Sequence, residues 1–276
     1  MTEGFGEAFG AVTVVNAIPA WRGAAIGVDL RVEVELRLRQ PGDVEVRSTV
    51  RGERMRLGGE LVEALLRILS DRFGVDAGLE VEISSEIPVG VGLKSSSAVS
   101  NALAAAAADA LGLGLGPPEV VRLGVEVSRL AGVTVTGAFD DACASMLGGL
   151  CVTDNRRLLL VRRMRVRGGL RAVMGVPREA SGPDIVRLDS VRDHVEAAYG
   201  LALEGDWRPA MLLNGVACAS ALGYPLEPVR LALQAGAESA GLSGKGPAVA
   251  AICQDPDLVA ESWGRLGYEV IVAGVR

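Results

Sequence analysis

The sequence predicts an α+β fold built as two closely packed lobes. Three observations support this: apolar and charged residues alternate at 28–39, an alanine-rich helix is predicted at about 95–111, and a second block of strands and helices follows a Gly-Gly pair at 168–169. The chain has 276 residues, 49% of them hydrophobic, which suits one large domain or two small ones. We therefore expect an N-terminal lobe at 1–167 and a C-terminal lobe at 168–276.

The N-terminal lobe begins with strands and continues with helices. Strict alternation at 28–39 predicts a strand with one buried side and one solvent-facing side, as in an antiparallel sheet. Further patterns predict strands at 12–16 and 79–84 and helices at 61–73, 95–111 and 119–130. Serines at the start of the second of these helices are expected to cap it. The arginine-rich stretch 158–167 lacks interleaved aromatic residues, so we interpret it as a charged edge strand rather than a nucleic-acid patch.

The C-terminal lobe shows the same mixture of elements. Its patterns predict a strand at 170–176, helices at 191–204, 207–223 and 228–240, a strand at 248–253, a helix at 256–266 and a strand at 268–272. No linker separates this block from the first, and the sequence contains no internal repeat. The two lobes should therefore pack directly on each other.

Charge and composition exclude several classes of protein. The net charge of −6 and the pI of about 5.1 argue against a nucleic-acid-binding protein, which needs a positive face. The start of the chain lacks the apolar core of a signal peptide, and no apolar run approaches the ~20 residues that span a bilayer. The four cysteines and the single histidine form no metal-ligand pattern. We expect a cytoplasmic protein with reduced thiols and no membrane partner.

A glycine-rich loop between a strand and a helix is the most specific chemical signal. Gly90 and Gly92 let backbone N–H groups approach a ligand, and Ser95–Ser97 begin a helix whose dipole favours phosphate. The pattern matches neither the dinucleotide fingerprint nor the Walker form. Of 28 basic residues only two are lysines, Lys94 and Lys245, and both lie in glycine-rich loops. A lysine there supplies a compact charge suited to phosphate.

Three motifs in this order resemble the superfamily of galactokinase, homoserine kinase, mevalonate kinase and phosphomevalonate kinase (GHMP kinases). They are Asn16 with the segment 23–30, the loop 88–97, and Leu-Ser-Gly-Lys-Gly-Pro-Ala at 242–248. Within the superfamily, Gly-Leu-Lys-Ser-Ser-Ser at 92–97 and the segments 15–18 and 134–145 resemble the archaeal-type shikimate kinases. Lys245 departs from the small or hydroxyl residue expected in the third motif.

The resemblance implies a fold and a reaction. The fold would be a lobe similar to domain 2 of ribosomal protein S5 followed by a ferredoxin-like lobe, with the site between them. The reaction would be ATP-dependent phosphorylation of the 3-hydroxyl of shikimate, which yields shikimate 3-phosphate and ADP on the route to aromatic amino acids. The shikimate carboxylate would require an arginine, and 26 arginines leave that choice open. We expect a monomer or a homodimer.

The resemblance also implies roles for individual residues. The ATP phosphates would be bound by the first glycine-rich loop (Ile87, Pro88, Val89, Gly90, Val91, Gly92, Leu93, Lys94, Ser95, Ser96 and Ser97) and by Ser243, Gly244 and Gly246 of the third motif. Ser96 and Glu126 would ligate Mg²⁺. Asp140 would act as the base and Lys94 would supply catalytic charge. Asn16 and Asp141 would contact the substrate.

Simpler interpretations stand beside these roles. Glu126 has the alternative of a helix-surface carboxylate, and Asp140 that of a helix-capping acid. Some superfamily members transfer phosphate without a base. For the whole chain, the alternatives are a non-catalytic nucleotide- or RNA-binding module and a kinase that acts on another small alcohol, such as homoserine or mevalonate.

Overall fold

The computed structural model describes residues 3–178 and 184–276, which form a seven-stranded sheet and a four-stranded sheet. The strands of the larger sheet are β1 (Glu3–Val15), β2 (Arg22–Arg39), β3 (Val44–Val50), β4 (Glu53–Arg54), β5 (Gly78–Ser85), β6 (Leu150–Asp154) and β7 (Leu159–Met164). The order is β4-β3-β5-β2-β6-β7, with β1 paired to β2. β3 and β5 are parallel and all other pairs are antiparallel.

The first two strands form the longest pairing of the molecule, from Glu3 opposite Arg37 to Val15 opposite Ala24. The predicted alternation of buried and exposed residues in β2 is confirmed. β1 begins nine residues before the predicted start at position 12. The prediction missed this first part because it is rich in glycine, which has a low strand propensity. A Cβ at Gly4 would lie 2.2 Å from the carbonyl oxygen of Ala106. The glycine is needed there because the backbone of a helix packs directly on the strand, and strand propensity alone does not reveal it.

Five helices belong to this part of the chain. They are α1 (Ala17–Ala20), which is a single turn, α2 (Gly59–Phe73), α3 (Ser95–Ala110), α4 (Pro117–Leu130) and α5 (Phe139–Leu147). α3 and α5 pack on β1 and β2, α2 contacts β5, and α4 packs on the other helices. In α3, 13 of 16 residues are buried, and its alanines allow β1 on one side and α4 on another to approach closely. The predicted α3 is confirmed. The predicted α4 is also confirmed, although it starts two residues earlier at a proline pair.

The smaller sheet contains β8 (Arg171–Val176), β9 (Ser239–Leu242), β10 (Val249–Cys253) and β11 (Glu269–Gly274) in the antiparallel order β11-β8-β10-β9. Its helices are α6 (Arg192–Glu204), α7 (Trp207–Leu222), α8 (Glu227–Gln234) and α9 (Asp257–Arg265), and a 3₁₀-helix covers Ile185–Val191. The predicted helix at 228–240 was too long. It ends at Gln234, since Gly236 adopts a left-handed conformation (φ +90°), and the following residues form β9.

The two sheets are joined through the last residues of the chain. Val275 bridges to Val28, and the backbone of Arg276 bonds to Gly27 and Gly149 at 3.0 and 2.9 Å. The predicted boundary between 167 and 168 falls in the connection from β7 to β8 and stays a prediction. β7 is the edge of the larger sheet, which confirms the interpretation of the arginine-rich stretch. None of the helices in the described ranges is long and apolar enough to span a membrane.

Candidate functional site

A cavity of about 230 Å³ lies where the glycine-rich loop, the start of α5 and the loop after β9 meet. It is lined by Asn16, Ala17, Ile18, Gly90, Gly92, Leu93, Lys94, Ser95, Ser96, Ser97, Ser128, Val133, Thr134, Val135, Thr136, Ala138, Asp140, Asp141, Gly244 and Lys245. We call it the cleft. Two of its charged groups are lysines and two are aspartates. The cleft therefore brings together residues from all three motifs of the sequence.

The glycine-rich loop enters the cleft at the start of α3. Gly90 and Gly92 both have positive φ angles, and a Cβ at Gly92 would lie 2.3 Å from the carbonyl oxygen of Ser243. The first N–H groups of α3 have no acceptor within the helix and are available to an anion. Serine capping was a wrong prediction, because the N-cap residue is Lys94, in a left-handed conformation, and no side chain caps this end.

The third motif supports the glycine-rich loop from behind. The hydroxyl of Ser243 donates to the carbonyl of Gly92 at 2.9 Å, and the backbone N–H of Ala248 donates to that of Val91 at 3.0 Å. Ser243 is fully buried and does not line the cleft, and neither does Gly246, so of the three residues predicted to contact nucleotide only Gly244 reaches it. Ser243 stabilises the glycine-rich loop, because its hydroxyl group donates to the carbonyl of Gly92.

Asn16 ties the N-terminal segment to this loop. Its Nδ2 donates to the carbonyl of Gly244 at 2.8 Å, and its Oδ1 accepts from the backbone N–H of Ile18 at 2.9 Å. Asn16 was predicted to contact the substrate. The structure places it on the cleft with both polar atoms partnered, so a substrate contact would use its second amide hydrogen or the second lone pair of Oδ1.

Asp140 lies at the start of α5 and is 3% exposed. Its Oδ1 accepts from Nδ2 of Asn155 at 2.8 Å, and the same Nδ2 donates to the hydroxyl of Thr136 at 3.2 Å. Its Oδ2 lies against Gly23, where a Cβ would approach to 2.5 Å. One carboxylate oxygen of Asp140, a residue that lines the cleft, is therefore held by an amide, while the other lies beside the buried Gly23.

Asp141 and Lys94 form an ion pair across the cleft. The Nζ of Lys94 lies 3.1 Å from Oδ2 of Asp141, and both side chains are about nine-tenths buried (11% and 10% exposed). Burial raises the pKa of Asp141, the neighbouring charge of Asp140 raises it further, and Lys94 opposes both, so that the pKa is about 7. Oδ1 of Asp141 and the hydroxyl of Ser95 are buried and have no hydrogen-bond partner within the described chain. Both residues line the cleft.

The structure brings most of the predicted loop residues to the cleft, and it separates others from it. Gly90 and Gly92–Ser97 line the cleft, whereas Ile87, Pro88, Val89 and Val91 do not. Ile87 is fully buried in the core beneath the loop. Residues 86–94 form an irregular loop between β5 and α3, and only part of that loop lines the cleft.

Glu126 does not line the cleft, so the structure does not bring it together with Ser96, its predicted partner in binding Mg²⁺. Its carboxylate is exposed on α4 and lies 3.1 Å from Arg72 of α2, on a different surface depression. Ser128, two positions later on the same helix, lines the cleft. Because two residues turn a helix by about 200°, Glu126 faces away from it. No cluster of three or more acidic, His or Cys side chains suited to a metal occurs in residues 3–178 and 184–276.

Asn155 and Thr136 are site residues that the sequence analysis missed. Asn155 is fully buried: its Oδ1 accepts from Thr153 at 2.7 Å and its backbone N–H donates to the carbonyl of Trp21 at 2.8 Å. A single asparagine in a turn carries no sequence signal. Its proximity to Asp140 depends on strand β6 returning to the start of α5.

Comparison with known proteins identifies the family. Residues 60–149 match the N-terminal domain of GHMP kinases. A shikimate kinase from Pyrococcus furiosus is 44% identical over 99% of this chain and 100% of its own length, and one from Thermococcus kodakarensis is 46% identical over 95% and 96%. The chain belongs to the archaeal shikimate kinase family. The resemblance stated from the sequence motifs is confirmed.

Solved structures show the same fold. Homoserine kinase from Cytophaga hutchinsonii superimposes with a TM-score of 0.75 at 20% identity, covering 100% of this chain and 95% of that one. Mevalonate kinase from L. major, solved with R-mevalonate, gives 0.73 at 18% identity, covering 100% and 97%. The predicted GHMP-kinase fold is confirmed for this family member.

Proposed function

We propose that the protein transfers the γ-phosphoryl group of ATP to the 3-hydroxyl of shikimate. One observation supports this proposal. Asp140, a buried carboxylate held by Asn155, lies in the same cleft as the glycine-rich loop and the start of α3 (90–97). Membership in the family supplies the substrate. The cytoplasmic location and the monomeric or dimeric state expected from the sequence stay predictions.

The nucleotide phosphates would bind against the start of α3. The glycine backbone at 90 and 92 leaves room for them, and the free N–H groups of the helix supply donors. Lys94 points into the same space and adds one positive charge. The exposed Lys245 lines the cleft from the opposite loop, so phosphate would lie between two ammonium groups. The cleft of this acidic protein thus contains two ammonium groups beside its two aspartates.

Magnesium fits the oxygen donors carried by two residues that line the cleft, Ser96 and Asp141. The hydroxyl of Ser96 is exposed to the cleft, and Oδ1 of Asp141 lacks a partner. Hydroxyl and carboxylate oxygens suit Mg²⁺, which binds few protein ligands together with phosphate. We therefore retain Ser96 as a proposed ligand and replace Glu126 by Asp141. When bound, the ion would neutralise charge on the transferred phosphates.

Asp140 would act on the substrate hydroxyl. Its Oδ2, at the Gly23 side, would accept the proton as the hydroxyl oxygen attacks the γ-phosphorus, and the bond to the β-phosphate oxygen would break to release ADP. Asn155 holds the other oxygen and fixes the direction of the carboxylate. Asp141, paired with Lys94, cannot turn to the same hydroxyl without breaking that pair.

A coupled ADP-release assay tests this function directly. Shikimate, homoserine and mevalonate would be offered in turn at saturating ATP and Mg²⁺, and ³¹P NMR would locate the phosphate on the product. We expect turnover with shikimate alone and phosphate on its 3-oxygen. Turnover with homoserine or mevalonate and none with shikimate would refute the substrate. Absence of ADP release with all three, together with salt-sensitive retention of RNA, would favour a binding module instead.

A further inference from the structure

We infer that a recess beside the cleft, lined by Trp21, Arg129, Val135, Thr136, Gly137 and Arg156, binds the carboxylate of the substrate through its two arginines. The recess has a volume of about 560 Å³ and shares Val135 and Thr136 with the cleft. The two depressions therefore adjoin. This inference rests on the proposed function, because it assumes a substrate that carries a carboxylate as well as a hydroxyl group.

Arg129 is held in place by backbone contacts. Its Nη2 donates to the carbonyls of Thr136 at 3.4 Å and of Asn155 at 3.3 Å. Gly137, with φ +85°, lets the guanidinium lie against the loop, since a Cβ there would approach Nε to 2.6 Å. The hydrogens on Nη1 are left for a ligand. A guanidinium fixed in this way loses little freedom when it binds a carboxylate.

Arg156 forms the other side of the recess. The carbon of its guanidinium lies 5.4 Å from the centre of the Trp21 ring, which is a cation–π distance. The lining contains no acidic residue, and neither arginine has an ion pair within residues 3–178 and 184–276. By contrast, four arginines on strands β2 and β3 of the larger sheet pair with glutamates: Arg31, Arg37, Arg39 and Arg47. Two guanidinium groups without counter-ions are thus concentrated at one point of the surface.

Asn155 connects the recess to Asp140. Its side chain donates to Asp140, its carbonyl accepts from Arg129, and its N–H donates to Trp21, while Arg156 is the next residue. Asn155 is therefore hydrogen-bonded to Arg129 and to the proposed base, Asp140, and is the chain neighbour of Arg156. A small hydroxy acid with its hydroxyl at Asp140 would have its carboxylate directed past Thr136 into the recess. Planar, bidentate pairing is the mode in which guanidinium recognises carboxylate.

The test compares shikimate with its neutral methyl ester in wild-type enzyme and in two variants, Arg156→Ala and Arg129→Lys. The conservative change at Arg129 keeps a donor for the carbonyls. We expect the KM for shikimate to rise roughly 10- to 100-fold, which is the range for loss of one charge-assisted contact. The KM for ATP and the melting temperature should stay unchanged. The wild-type preference for shikimate over the ester should shrink by a similar factor, because the ester never made the contact.

Arg157→Ala provides the matched control, since Arg157 is the exposed neighbour in the same turn and lies outside the recess. It should retain both KM values. If both recess variants keep the wild-type KM for shikimate, or lose shikimate and ester in equal proportion, the assignment is overturned. Failure of the wild-type enzyme to phosphorylate shikimate would refute the proposed function and, with it, this subsite. Normal wild-type turnover with unaffected variants would refute the subsite alone.

Discussion

Lys94 occupies a backbone conformation that suits glycine, and replacing it separates its charge from its strain. Its φ of +67° lies in the left-handed region, which costs a side-chain-bearing residue about 1–2 kcal/mol. Its Nζ pairs with Asp141 at 3.1 Å in a nearly buried setting. Lys94→Gly removes both features, whereas Lys94→Ala removes the charge and keeps the strain. The two variants should therefore share their kinetics and differ in stability.

The stability of Lys94→Gly should depend on pH in a predictable direction. The raised pKa of Asp141, about 7, means that the folded state takes up a proton that the unfolded state releases, so stability declines as pH rises from about 4 to 7. Without Lys94, the pKa of Asp141 rises further and the decline continues to higher pH. At pH 5, where Asp141 is protonated, relief of strain should make the variant more stable by about 1 kcal/mol.

At pH 9 the lost pair should outweigh the relieved strain. Removing one partner of a buried pair costs about 3 kcal/mol, so the net change is a loss of about 2 kcal/mol. Lys94→Ala should be less stable than Lys94→Gly by about 1 kcal/mol at both pH values, which makes it the matched control. Thermal unfolding measures these differences at about 2–4 °C per kcal/mol for a chain of this size.

The same variants test the role of Lys94 in binding nucleotide. Loss of one charge-assisted contact should cost about 1.5–3 kcal/mol, and it should appear in the use of ATP more than in the use of shikimate. Steady-state kinetics with each substrate varied in turn provides the measurement. An unchanged KM for ATP and an unchanged kcat would show that Lys94 does not contact phosphate. If the difference in stability between wild type and Lys94→Gly is the same at pH 5 and at pH 9, the coupling of Lys94 to Asp141 is refuted.

Three further variants address the surroundings of the proposed base. Gly23→Ala places a Cβ 2.5 Å from Oδ2 of Asp140, so kcat should fall about 100-fold while ATP binding, measured by calorimetry, holds. Asn155→Ala removes the donor to Oδ1, and we expect kcat to fall about tenfold or more with the KM for ATP unchanged; equal changes in both would indicate general damage to the fold. Glu126→Gln should leave kcat and the Mg²⁺ requirement at wild-type values, because Glu126 faces Arg72 on another surface; a raised Mg²⁺ requirement would restore it as a ligand.

Periodic and motif signals predicted most of the fold and the core of the site. The alternation in β2, the alanine-rich α3 and the motif around Gly92 each combine local propensity with a pattern that holds over many residues. β9 and the first half of β1 were missed because small residues form them, and their strand character comes from pairing with neighbours rather than from propensity.

Contacts between distant segments could not be predicted in this way. Glu126 and Ser128 are close in sequence yet face different sides of α4, and the family resemblance that suggested Glu126 does not indicate which side of the helix meets the cleft. Asn155 reaches Asp140 through a turn after β6, and Ser243 buries its hydroxyl against the glycine-rich loop. Such positions follow from tertiary packing, which a single sequence does not display.

The most direct test of phosphoryl transfer at this cleft is a comparison of Asp140→Asn with Asp141→Asn. A positioned base contributes about 10²- to 10⁴-fold, so Asp140→Asn should lower kcat for shikimate phosphorylation by that factor while ATP affinity and the circular dichroism spectrum stay those of wild type. Asp141→Asn should mainly raise a KM or change stability. If Asp140→Asn keeps a near-wild-type kcat and Asp141→Asn loses it, the assignment of the base is reversed. If both variants turn over at the wild-type rate, no carboxylate of this cleft serves as a base, and the claim that Asp140 takes the proton of the substrate hydroxyl is contradicted.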